Sequence, residues 1–159
     1  MDKINDHYLQ INSDYIGCID DTCLATGELL AVKDTPFDFN KRKRIGQDLE
    51  ADHIQLKNAF GYDHSFVLNG TENQLTLEEP VSGRRLIIST TAPVVQVYTG
   101  NFLKDGCIGK AGRVYENREG VALETQLMPN AINTEENPST ILRKGDKFES
   151  NTKYVFEIM

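Results

Sequence analysis

The spacing of the breaks constrains this chain most. Short runs rich in Val, Ile, Leu, Thr and Tyr recur along it, and Gly, Pro, Asn or Asp interrupts them about every 8 to 12 residues. Leu9 and Ile11 alternate with Gln10 and Asn12, the period-two pattern of a half-buried strand. Leu29–Val32 reads as a second strand, stopped by Lys33-Asp34-Thr35-Pro36. Ser65–Leu68, Gln74–Glu78, Arg85–Thr90, Pro93–Tyr98, Val121–Gln126 and Lys153–Ile158 follow the same rule. Asn69-Gly70 is a strong hairpin signal, so Ser65–Thr90 reads as a meander. Asp20–Thr22 and Lys144–Asp146 read as turns, and Asn101–Gly112 (with Gly106, Gly109 and Gly112) and Met128–Asn137 as irregular loops.

Residues 41–59 are the one plausible helical region. Ile45, Leu49 and Ile54 fit a helix face only in part, which predicts one or two short helices. Phe37 and Phe39 flank Asp38 and are expected to pin their loop to the core. The pattern predicts an all-β antiparallel sandwich with little helix, as a single domain over residues 1–159.

Charge narrows the function classes. The chain has 24 acidic and 17 basic residues, a net charge of -7, which argues against a nucleic-acid partner. Lys41-Arg-Lys-Arg44 reads as a solvated loop. Cys18, Cys23 and Cys107 are an odd set without a CxxC spacing. Cys18 and Cys23 could bridge, but free buried thiols in a reducing compartment are the expectation. No stretch approaches the ~20 apolar residues of a membrane span. A cytoplasmic protein with no membrane partner is expected.

His7, His53 and His64 lack partners at metal-ligand spacing, so no metal is assigned. Gly106-Cys-Ile-Gly109 lies outside a βαβ context and supports no nucleotide site. Three polar positions carry possible chemistry. Glu124 follows the apolar run Val121-Ala-Leu123, where a carboxylate can be held as a general base or simply face outward. Asp63, beside Tyr62, can grip sugar hydroxyls or form an Asx-turn at a strand entry. Gln96, beside Tyr98, can line a pocket or be a satisfied amide on a strand face.

Several motifs run in order along the chain. They are Asp6-His-Tyr-Leu-Gln-Ile-Asn-Ser-Asp14, Thr26-Gly27 with Thr35-Pro-Phe-Asp-Phe39, Gly61-Tyr-Asp-His-Ser-Phe66, Ser82-Gly-Arg84, and Thr91-Ala-Pro-Val-Val-Gln-Val-Tyr-Thr-Gly-Asn-Phe102. Gly120–Gln126, Pro129-Asn-Ala-Ile-Asn133 and Leu142-Arg-Lys-Gly145 complete the set. The ordered set resembles the C-terminal half of the galactose mutarotase (aldose 1-epimerase) family. The resemblance implies part of a large β-sandwich, an aldohexose substrate such as galactose or glucose, and no cofactor. The implied reaction interconverts α and β anomers by acid/base ring opening. By motif match, Glu124 is the base that takes the anomeric hydroxyl proton, and Asp63 and Gln96 bind the sugar.

The departures are specific. The family's acid histidine lies in a His-x-x-x-Asn-Leu segment that would precede residue 1, and a second histidine and an arginine lie further upstream. No Asn-Leu follows His7, so the acid role is not transferred to it. His64, next to Asp63, is expected to be structural. Val94 and Leu127-Met128 differ from the family pattern and read as local packing changes. Family members are roughly twice as long, so the chain reads as a C-terminal fragment that supplies the base without the acid. Two alternatives stay open: a catalytically incompetent fragment that still binds carbohydrate, and a relative acting on hexose phosphates. A half-sandwich also leaves an apolar inner face uncovered, which predicts self-association or pairing with a missing N-terminal half.

Overall fold

A computed structural model describes residues 3–104, 108–110, 112–134 and 140–159. Cys107, Gly106 and the Asn137 end of the second irregular loop lie outside the described residues. Among the described residues, ten strands form two antiparallel sheets. They are β1 (Tyr8–Ile11), β2 (Ser13–Ile19), β3 (Ala25–Ala31), β4 (Lys43–Arg44), β5 (Asp63–Leu68), β6 (Leu75–Glu79), β7 (Arg84–Thr90), β8 (Val94–Tyr98), β9 (Ala122–Gln126) and β10 (Thr152–Ile158). One sheet runs β10-β7-β6-β1-β4 and the other β3-β2-β5-β8-β9. The sandwich predicted from the sequence is the observed fold.

Period-two alternation builds the core. Leu9, Ile11, Leu75 and Ile88 from the first sheet face Ile16, Phe66, Val95 and Val97 from the second, all fully or nearly fully buried. The loop after β3 closes one end. Phe37 and Phe39 are buried there as expected, and Phe37 meets Tyr62 at 5.4 Å and His64 at 4.7 Å, both edge to face. Each such ring contributes roughly 1.5–3 kcal/mol through burial. The helical region holds a short 3-10 turn at Ile45–Gln47 and one α-helix, α1 (Ile54–Ala59). Ile45 and Leu49 are buried, but Ile54 is exposed because α1 starts there and turns it outward.

Other expectations need correction. Asn69-Gly70 does not close a hairpin: β5 pairs with β2 and β8, and β6 with β1 and β7. The turn carries the chain from one sheet to the other, which the Asn-Gly signal alone does not distinguish. Lys41–Arg44 is not simply a solvated loop. Lys43 and Arg44 form β4, and Arg42, Lys43 and Arg44 pair with Glu78, Asp48 and Asp6. Cys18 and Cys23 are free, but half-buried and exposed rather than buried. No helix among the described residues is long and apolar enough to cross a membrane.

The inner face of the first sheet outruns its cover. Tyr154, Phe156 and Ile158 pair in register with Ile88, Leu86 and Arg84, so they share the core-facing side of that sheet. The second sheet does not reach them, and they stay 49%, 77% and 75% exposed.

Candidate active site

The outer face of the second sheet collects the polar residues singled out in the sequence. Ser65, Gln96 and Glu124 sit opposite one another across β5, β8 and β9. Asp63, Tyr98 and Ala122 form the adjacent row. Residues two apart on a strand share a face, so Asp63, Gln96 and Glu124 project to the same side. They line an open depression of about 420 Å³ together with Tyr98, Phe102 and Gln126. The opposite face of these strands carries Phe66, Val95 and Val97 into the core, which holds the polar face still.

The loop after β9 forms the wall. Met128 folds back onto Val94 and Ala131 in a second small core, and Asn130 Nδ2 donates to the Ala25 carbonyl at 2.9 Å. Gly17 of β2 makes room for it, since a Cβ there would lie 3.1 Å from the Met128 sulfur. Met128 is therefore accommodated by packing.

Hydrogen bonds fix the polar groups. Gln96 Nε2 donates to Asp63 Oδ1 at 2.7 Å, and the Ser65 hydroxyl donates to Gln96 Oε1. Gln96 is thus a satisfied amide and also part of the depression. Among the described residues Asp63 forms no Asx-turn contact; its carboxylate accepts across the strands from Gln96. Burial pushes the Asp63 carboxyl above its ordinary value, and the Gln96 hydrogen bond pulls back in part. Glu124 is exposed, and among the described residues no cation or donor holds its carboxylate, which leaves it open to a ligand hydroxyl.

None of the three histidines lines this depression. His7 lies in a separate groove beside Leu77, Glu79 and Phe156. His53 caps α1, with Nδ1 accepting from Gln55 N–H at 3.2 Å. His64 points into the core on the other side of β5. Its Nδ1 accepts from Asp63 N–H at 3.1 Å, and its Nε2 lies 3.2 Å from Gln55 Oε1, which also accepts from Ile19 N–H. That arrangement fixes a neutral ring with the proton on Nε2. Burial, with His53 nearby, pushes its pKa down to about 3. Arg84 and Arg85 line the His7 groove, and Arg113 pairs with Glu119 at 2.7 Å, so these three arginines serve other places.

The sequence reading missed Ser65 and Gln126 as members of the site. Each lies two residues from a residue it identified, Asp63 or Glu124, so the period-two rule was the available signal. Among the described residues, no group of three or more His, Cys, Asp and Glu side chains could hold a metal ion.

The comparisons with known proteins agree along nearly the whole chain. The family described as aldose 1-epimerase matches residues 2–155. Galactose mutarotase from Homo sapiens is 37% identical, over 98% of this chain and 45% of its own length. Aldose 1-epimerase from Escherichia coli K12 is 33% identical, over 96% of this chain and 45% of its own. The crystal structure of an aldose epimerase homologue from C. elegans superposes with a TM-score of 0.88 at 29% identity, covering 99% of this chain and 47% of that one. The chain spans about half the length of the relatives it matches.

Proposed function

The chain belongs to the aldose 1-epimerase family, and from that membership we propose that it contributes the base and part of the sugar-binding surface of a site interconverting the α and β anomers of an aldohexose. The observation that carries this reading is that Glu124, Gln96 and Asp63 share one supported sheet face, with the Glu124 carboxylate open. In this reading Asp63, oriented by Gln96, accepts hydrogen bonds from ring hydroxyls. Glu124 removes the proton from the anomeric hydroxyl. The electrons form the C1 carbonyl, the bond from C1 to the ring oxygen breaks, and an acid protonates that oxygen. After rotation about C1–C2 the ring-oxygen hydroxyl attacks the other face of C1 and gives its proton back to the acid's conjugate base, while Glu124 returns its proton to the carbonyl oxygen, giving the second anomer.

The acid is the part these residues do not supply: His64 is neutral and faces the core, and His7 and His53 lie elsewhere. General acid catalysis contributes roughly 10²–10⁴ in rate, so the isolated chain is expected to be nearly inactive while keeping sugar affinity. In this reading the domain is part of the larger sandwich of its relatives, which it matches over about half of their length.

Polarimetry on freshly dissolved α-galactose tests this. The chain alone should barely exceed buffer. Added imidazole should then give an acceleration beyond that of imidazole in buffer alone, and Glu124→Gln should abolish the excess. Equal rates for the two proteins in imidazole would remove Glu124 from the base role, and a fast unassisted rate would show that an acid is already present.

A further inference from the structure

Two rings that the core does not use lie where the depression meets a second cleft. Phe60 and Phe102 are 66% and 53% exposed, and their rings meet edge to face at 5.6 Å. Phe102 belongs to the candidate active site on one side. On the other it lines a second cleft of about 670 Å³ with Asp52, Lys57, Phe60, Asn117 and Arg118.

The backbone at Phe60 makes this pair notable. Phe60 ends α1 in the left-handed conformation, at φ 55°, where glycine is preferred. A bulky residue there costs energy that a glycine would avoid. The surroundings hold it in place. The Arg118 guanidinium donates to the Phe60 carbonyl and to the Asn101 side-chain oxygen, and Phe102 N–H donates to the Tyr98 hydroxyl at 2.8 Å. Two exposed rings are thus fixed beside a polar cleft. Aromatic faces beside carboxylate, ammonium and amide groups are the chemistry that binds a pyranose ring, whose C–H face covers the aromatic while its hydroxyls find polar partners.

We propose that Phe60 and Phe102 form the platform of a second sugar subsite, so that the site takes the reducing end of a disaccharide with its second ring over this pair. The proposal rests on reading the Asp63–Gln96–Glu124 depression as a hexose site, and the test separates the two. NMR titrations of the chain with glucose, maltose and cellobiose would give three affinities. At least one disaccharide should bind about fivefold or more tightly than glucose. Phe60→Gly suits the left-handed backbone and should melt no lower than the parent, so loss of folding does not confuse the result. It should bring the disaccharide to the level of glucose and leave glucose unchanged, and Phe102→Ala should remove the same preference. Glucose binding without any disaccharide gain, or a gain that survives Phe60→Gly, overturns the subsite alone. Glucose binding that is indifferent to Asp63→Ala overturns the hexose reading beneath it, and no binding by any of the three sugars overturns both.

Discussion

Gln96 and Asp63 meet diagonally across β5 and β8, and a single 2.7 Å hydrogen bond from the amide to the carboxylate orients the acid that burial would otherwise leave unpartnered. The same burial raises the Asp63 pKa. A carboxyl raised in the folded state adds stability that is complete below its ordinary value of 3.8 and is lost as pH rises through its folded value. Asp63→Asn keeps the oxygen that Gln96 contacts and removes the charge. It should melt above the parent at pH 7, with the gap closing below about pH 3.8, while sugar affinity falls. Thermal melts from pH 3 to 8 check the first expectation, and a galactose titration the second.

His64 has the opposite sign. Its pKa, lowered by burial from 6.5 to about 3, means its contribution to stability is complete above 6.5 and is lost as pH falls toward and through 3. His64→Asn should cost about 2 kcal/mol at pH 7. That deficit should shrink on acidification, because the parent weakens and the variant does not share the effect. A deficit constant from pH 7 to 4 would mean that the imidazole is not neutral in the core.

Glu78 is held by two arginines, with Arg42 Nε at 2.6 Å and Arg85 Nε at 2.9 Å. Burial pushes its carboxyl up, and the two arginine contacts outweigh that and leave it below the ordinary value. Glu78→Ala strands both cations beside β1, but Arg42 and Arg85 are partly exposed and can rehydrate. The expected loss is about 1–3 kcal/mol, below the full cost of breaking a deeply buried pair. Urea denaturation of the two proteins measures it.

The uncovered inner face at β10 predicts association. Tyr154, Phe156 and Ile158 lie on one side of an edge strand, which is both an apolar patch and an open hydrogen-bonding edge. Sedimentation velocity should show the average mass rising with concentration, and Phe156→Lys with Ile158→Lys should suppress the rise. Monomers at every concentration tested would show that this face has no affinity for itself.

Much of the architecture was legible because alternation is a local signal. Leu9 and Ile11, Val95 and Val97, and the loop rings Phe37 and Phe39 lie where their pattern put them. Which strands are neighbours was not legible. Asn69-Gly70 looks the same whether its flanking strands pair with each other or enter different sheets, and long-range register decides that. The site shows the same division. Asp63, Gln96 and Glu124 were recognisable one by one, but their shared face depends on β5, β8 and β9 pairing in a register that no short window contains. The neutrality of His64 depends on Gln55, nine residues upstream on α1, a contact set by how the helix folds back on β5 rather than by alternation along a strand.

The threading between the two sheets has a kinetic consequence. The chain changes sheet between β1 and β2, β3 and β4, β4 and β5, β5 and β6, β7 and β8, and β9 and β10. Neither sheet can therefore be completed from a continuous run of sequence. Loop-closure entropy must be met before most pairings form, which places refolding in the slow, millisecond-to-second range of non-local β topologies. Asp63, Gln96 and Glu124 should come into register in the same cooperative step that buries Phe66 and Val97, so sugar affinity should return in refolding with the core signal rather than ahead of it.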